Sequence, residues 1–172
     1  ADVLLLESTY GNRDHRPLAA TLDELAASLE HALSGKQGVV LVPAFAVGRT
    51  QEFLYYLNSM SRAGRLRDLH IFVDSPMATE VTRITARHFD LFDAEARRLA
   101  REPVPEGRAP VLRFIETVEE SKALNSARDG AIIVAASVPE IGRSKKASGL
   151  PADLIIEVMK CSSNSVPSTM PR

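Results

Sequence analysis

Five short apolar runs punctuate the chain: Val3 to Leu6, Val39 to Val42, Leu69 to Val73, Val111 to Ile115 and Ala131 to Ala135. Each has strand length, is rich in β-branched residues and is mostly continuous rather than alternating, the pattern of strands buried on both faces of a parallel sheet. Helical periodicity separates them. Leu18, Leu22, Leu25, Leu29 and Leu33 follow at spacings of four, three, four and four, one stripe of a 3.6-residue helix, with Thr21 and Glu24 at capping-box spacing. Phe53, Leu57 and Met60, flanked by Leu54 and Ser61, mark a second helix, and Gly64 sits where its C-terminal stop belongs. Ser75 and Pro76 form a cap and first-turn pair for a third helix carrying Met77, Val81, Ile84 and His88. A fourth begins at about Asp93 and ends before Pro103; Thr117 with Glu120 repeats the capping-box spacing for a short fifth, ending near Asn125.

Strands and helices in alternation predict an α/β fold, a mostly parallel sheet flanked by helices in a Rossmann-like layer sandwich with right-handed crossovers. Periodicity alone does not give the strand order. The stretch from Glu102 to Pro110, with three prolines and Gly107, reads as a connector. Beyond Ser137 the pattern degrades into a small basic cluster (Arg143, Lys145, Lys146), an apolar island from Leu154 to Met159, and a Ser/Pro-rich end from Ser162 to Arg172. Residues 1–137 are therefore expected to form the α/β domain, and 138–172 a divergent or disordered tail.

Composition narrows the function. With 172 residues, 45% hydrophobic and 25% charged, the chain has the size and apolar content of one globular domain. Lys and Arg number 21 against 22 Asp and Glu, a net charge of −1, so any contact with a polyanion must be local. Six Phe, three Tyr and no Trp are too few for a broad base-stacking platform. A lone Cys161 excludes an internal disulfide and a multi-cysteine zinc site, and is compatible with a reducing compartment. The longest apolar stretch, Val39 to Val47, has about half of the ~20 residues a membrane span needs, and no signal-peptide pattern opens the sequence. A soluble, cytoplasmic protein without membrane contact is expected. A start at Ala1, almost inside an apolar run, suggests a segment of a longer protein.

In open parallel sheets ligands bind beyond the carboxyl ends of the strands, so the informative residues follow each apolar run. These are Glu7-Ser8-Thr9-Tyr10-Gly11, Pro43 to Thr50, and Asp74-Ser75-Pro76. Arg49 falls in the first turn of the second helix, where the macrodipole disfavours a cation, so an anion should offset it: Glu7, Asp74 or Glu52 by ion pairing, or a bound phosphate. Exposed N–H groups from Gly48 to Gln51 would add an anion site there. Glu7 is either held by loop N–H groups or poised for function, whereas Ser8 and Thr9 suit turns, and Asp74 and Ser75 suit helix capping. No phosphate-binding glycine fingerprint and no nucleophile elbow occurs. His15, His31, His70 and His88 are not paired at ligand spacing, and only His15, in a polar loop, reads as a functional candidate.

Five strings taken together resemble the β-CASP domain of RNA-processing metallo-β-lactamase-fold ribonucleases: residues 1–13 (ADVLLLESTYGNR), 42–52 (VPAFAVGRTQE), 74–78 (DSPMA), 120–125 (ESKALN) and 133–137 (IVAAS). The resemblance implies a module that clamps RNA over a two-zinc site held by a metallo-β-lactamase domain, in cis or in trans, for metal-assisted phosphodiester hydrolysis. It further implies that Glu7 is the acidic catalytic residue, acting near the metals as partner of a ligand histidine, and that Ser8, Thr9, Arg49 and Ser75 contact substrate phosphate or sugar. The family's H-x-H-x-D-H zinc ligands and its later histidines are absent, and only Gly142-Arg143 matches, faintly, the pattern expected after Ser137. The chain alone is thus expected to bind no zinc and to be inactive by itself. A homodimer is compatible with the resemblance, and a non-catalytic RNA- or protein-binding α/β module is the alternative reading.

Overall fold

Four parallel strands form one sheet in the order β1-β4-β2-β3: β1 is Val39–Pro43, β2 His70–Asp74, β3 Val111–Phe114 and β4 Ala131–Ala135. A computed structural model describes residues 2–6, 8, 11–12, 14, 16–33, 38–126 and 130–135. Among these are five α-helices: α1 (Leu18–Leu33), α2 (Arg49–Arg62), α3 (Pro76–Arg87), α4 (Ala94–Arg101) and α5 (Val118–Leu124). The tail beyond Ala135, with Cys161 and the apolar island, lies outside the described residues, as does His15.

Burial follows the strand order. β4, apolar at all five positions and flanked on both sides, is buried throughout; β3, at the edge and carrying Arg113, is mostly exposed. The register aligns Val40, Ile132 and Ile71, and Val42, Val134 and Val73, on one face. Against that face α1 packs Leu25 and Leu29 and α2 packs Phe53, Leu57 and Met60 to form the main core, while Val73 belongs to a smaller cluster with Ala46 and Ala78 of α3. Leu57 and Leu29 are fully enclosed, each worth roughly 1.5–3 kcal/mol of burial. At the N-terminal end of the strands, Ser61 Oγ donates to the Arg108 carbonyl (2.8 Å) and Arg108 Nη1 donates to the Arg62 carbonyl (2.9 Å). The Glu102 to Pro110 connector is thereby pinned to the end of α2, where Gly64 takes a φ of +75° that favours glycine.

Three expectations fail locally. Residues 2–6 form no strand: Val3, Leu4, Leu5 and Leu6 are all exposed and make no ladder bonds, so the sheet has four strands among the described residues, not five. An apolar run becomes a strand only where a sheet edge receives it, and run length does not say which sheet that is. Thr21 does not cap α1. The helix starts a turn earlier, directly after Pro17, whose fixed φ suits a helix start; Thr21 is fully buried with its Oγ1 donating to the Pro17 carbonyl, and Glu24 pairs with Arg16 at 2.5 Å. On α3 the small residues Ala78 and Thr79 face inward, while Met77, Ile84 and His88 are exposed and Val81 is half-buried.

Candidate functional site

Parallel strands in register put their carboxyl ends together, and the row Pro43, Ala135, Asp74 crosses three of them at one edge of the sheet. The loops leaving that edge are tied to each other. After β1, the chain turns through Ala44 to Gly48, where φ of +81° at Gly48 reverses it into α2. The Gln51 side chain fixes the turn: its Oε1 accepts from Gly48 N–H (2.8 Å), while Nε2 donates to the Ala46 carbonyl (3.1 Å) and to Thr82 Oγ1 of α3 (2.9 Å). After β2, Ser75 caps α3 by accepting from Ala78 N–H (3.2 Å), with Pro76 in the first turn as the dipeptide requires. After β3, Thr117 and Glu120 form the expected capping box, and α5 delivers Ser121, whose Oγ donates to Asp74 Oδ2 at 2.8 Å.

The start of α2 is not the anion site its sequence suggests. Gly48 N–H goes to Gln51, Arg49 N–H to the Val47 carbonyl (3.0 Å) and Thr50 N–H to the Phe45 carbonyl (3.2 Å), so the turn itself takes up three of the four donors from Gly48 to Gln51 that a phosphate would use. What remains for an anion is the Arg49 guanidinium. Its anionic neighbour among the described residues is Glu52 at 3.6 Å, with side chains 22% and 28% exposed, the longest of six ion pairs. That separation exceeds a hydrogen bond, which leaves the guanidinium N–H groups available to a ligand. Arg83, by contrast, is committed: it donates to Glu80 (2.8 Å) and to Glu116 (2.5 Å) and lies over the Phe114 ring, and its two carboxylate partners raise its pKa further.

Of the expected site residues, Arg49 and Ser75 reach this edge, Ser75 as a capping side chain that is only 6% exposed. Ser8 is exposed on a turn closed by Gly11 N–H donating to its carbonyl (3.0 Å), and it follows no strand. Glu7 and Thr9 lie outside the described residues. Asp74 caps no helix; it takes the Ser121 hydroxyl instead. Sequence reasoning passed over Gln51 and Ser121, although Ser121 stands one helical turn beyond Thr117 and so shared a face with a recognised cap. Around the same edge large apolar side chains are bare: Phe45 is 77% exposed, Val47 66%, Met77 64% and Val118 62%.

The sequence of the Beta-Casp domain family matches residues 50–147, more than half of the chain. The chain belongs to that family. The parallel α/β sheet is consistent with a Beta-Casp domain. Several of its relatives are ribonucleases by name, and others carry the name transcription termination factor FttA. The chain is 39% identical over 137 residues to Ribonuclease TTHA0252 of Thermus thermophilus, covering 80% of this chain and 31% of that protein. It is 30% identical to an RNase J-like protein of Methanocaldococcus jannaschii (79% of this chain, 31% of that one) and 27% identical to Endoribonuclease ysh1 of Schizosaccharomyces pombe (84% and 18%). The Beta-Casp chain thus spans less than a third of the length of these curated relatives. Among its described residues no three His, Cys, Asp or Glu side chains converge to hold a metal ion, so these residues do not fit a zinc centre. No described helix is long and apolar enough to cross a membrane.

Proposed function

We propose that this chain is the RNA-holding portion of a zinc-dependent ribonuclease, acting in the cytoplasm, whose metallo-β-lactamase part lies outside the sequence and carries the metals and the phosphodiester hydrolysis. One observation supports this most: the carboxyl edge of the sheet joins a loosely paired arginine to a rim of bare apolar side chains, Phe45, Val47, Met77 and Val118. Apolar area of that kind on one edge favours a covering surface. The exposed run Val3 to Leu6 fits the same reading, as a segment that packs on a neighbouring part. In that arrangement Glu7 approaches the metals from this side, and Ser8, Thr9 and Arg49 contact phosphate or sugar. Ser75 chiefly holds α3 at the rim. The described residues fit no metal centre, and no step of the hydrolysis is assigned to them.

The experiment compares ribonuclease activity and zinc content of the 172-residue chain with those of the chain extended to the length of its relatives. Cleavage and zinc are expected only in the extended protein. Stoichiometric zinc with cleavage by the short chain overturns the division of labour, and RNA binding without cleavage at full length makes this a non-catalytic module. Arg49→Ala should weaken RNA binding several-fold and reduce the slope of log affinity against log salt by about 1, as for one lost phosphate contact. Unchanged affinity removes Arg49 from the site.

A further inference from the structure

At the end of β2, the central strand nearest α3, one point of the edge is built from acceptors alone. Asp74 follows Val73 with its side chain on the opposite face from the core, level with Ala135 of β4 and Pro43 of β1, two small neighbours that leave it half-buried rather than enclosed. Ser121 of α5 donates its hydroxyl hydrogen to Asp74 Oδ2 at 2.8 Å. A serine has one hydrogen to give, so the Oγ that remains offers only lone pairs, and a carboxylate offers nothing else. Among the described residues Asp74 has no cationic partner to change that sign. A phosphodiester oxygen, itself an acceptor carrying negative charge, is therefore repelled here. A neutral hydroxyl donor is accepted.

We infer that Asp74 and Ser121 form an acceptor pair for the ribose 2′-hydroxyl, by which this edge distinguishes RNA from DNA. The inference rests on the proposed RNA-holding role, and it gives two points of the same edge complementary tasks: Arg49 takes phosphate, and the Asp74–Ser121 pair takes the sugar hydroxyl that only RNA carries. Base N–H groups are the other hydrogen-bond donors a strand could present at such a point; uracil has no exocyclic amino group, and its N3–H is carried equally by a ribose and a deoxyribose strand.

The test is fluorescence-anisotropy titration of the 172-residue chain with a 15-nucleotide oligouridine and its 2′-deoxy counterpart, two strands that differ only in the hydroxyl. The wild type should prefer the ribose strand about tenfold, the size of one charge-assisted hydrogen bond. Asp74→Asn, which puts an amide donor in place of one acceptor, should abolish that preference by weakening the ribose strand alone; Ser121→Ala should reduce it about threefold. Circular dichroism melts of both variants check that α5 and the sheet remain folded. The inference is overturned by equal affinity of the wild type for the two strands, or by Asp74→Asn tightening both alike, which is what removal of simple charge repulsion would do. If neither strand binds the wild type at all, the RNA-holding role fails first and this inference with it, an outcome distinct from binding that ignores the hydroxyl.

Discussion

On one face of the sheet Val40, Val42, Ile71, Val73, Ile132 and Val134 are between 0 and 3% exposed, sealed under α1, α2 and α3; on the other, Ala131, Ile133 and Ala135 of β4 are buried too, but Leu41, Pro43, Phe72 and Asp74 on the flanking strands are half-buried, and α5 contributes no buried residue. The first face is closed by apolar packing, whereas α5 is joined to the second through a hydrogen bond, Ser121 to Asp74. Stability is thus concentrated where leucine stripes meet the sheet. The half-open side and the adjoining strand ends keep polar groups at the surface, where a ligand reaches them without dismantling the core.

The sharpest way to break this contrast is to truncate one side chain on each face. Leu57→Ala, at a fully enclosed position, should destabilise the chain by about 2–5 kcal/mol in denaturant unfolding. Phe72→Ala removes a larger side chain from a half-buried position and should cost roughly half as much, because less apolar area returns to water and solvent fills the gap. Equal costs for the two would show the second face to be as tightly packed as the first. A smaller loss, about 1 kcal/mol, is expected for Thr117→Ala, which removes the hydroxyl that accepts from Glu120 N–H at 3.2 Å and with it the cap of α5. Hydrogen exchange should then quicken in α5 while α1 and α2 stay protected, since the cap belongs to the lightly attached side.

How far the sequence speaks depends on whether a signal is local or needs a partner. Ala131 to Ala135, apolar at every position, reads as an enclosed strand and is flanked on both sides; Val111 to Ile115 reads the same way but β3 lies at the sheet edge, mostly exposed and carrying Arg113. Most caps are legible too, since Ser75-Pro76, Asp93, and Thr117 with Glu120 each act within four residues of themselves, whereas Thr21 and Glu24 have the same spacing but lie inside α1. Legibility ends where the partner is remote. Val3 to Leu6 has strand composition but finds no edge here, and the Asp74–Ser121 bond spans 47 positions. The first turn of α2 differs from its expected anion site for a related reason: the N–H groups of Gly48, Arg49 and Thr50 are taken by Gln51 and by carbonyls of the same loop, a closure that depends on the Gly48 backbone.

The gentlest perturbation of the second face is protonation of the α5 capping box. Glu120 accepts from the N–H groups of Glu116 (2.9 Å) and Thr117 (3.1 Å), and these donors hold its carboxyl below the ordinary value of 4.5. Because the folded state favours the ionised form, its contribution is fully present above that ordinary value and is lost as the pH falls through the lower folded one. Glu120 is fully solvent-exposed, so the loss is small and local. In an acid titration followed by NMR, amide shifts of Glu116, Thr117 and the first turn of α5 should move together, below the range where unconstrained glutamates titrate. Glu120→Gln, which keeps an acceptor oxygen but no charge, should erase that low-pH step while leaving the core resonances of α1 and α2 in place. If the core moved in the same step, α5 would be coupled to the packed face, and the division between the two sides of the sheet would not hold.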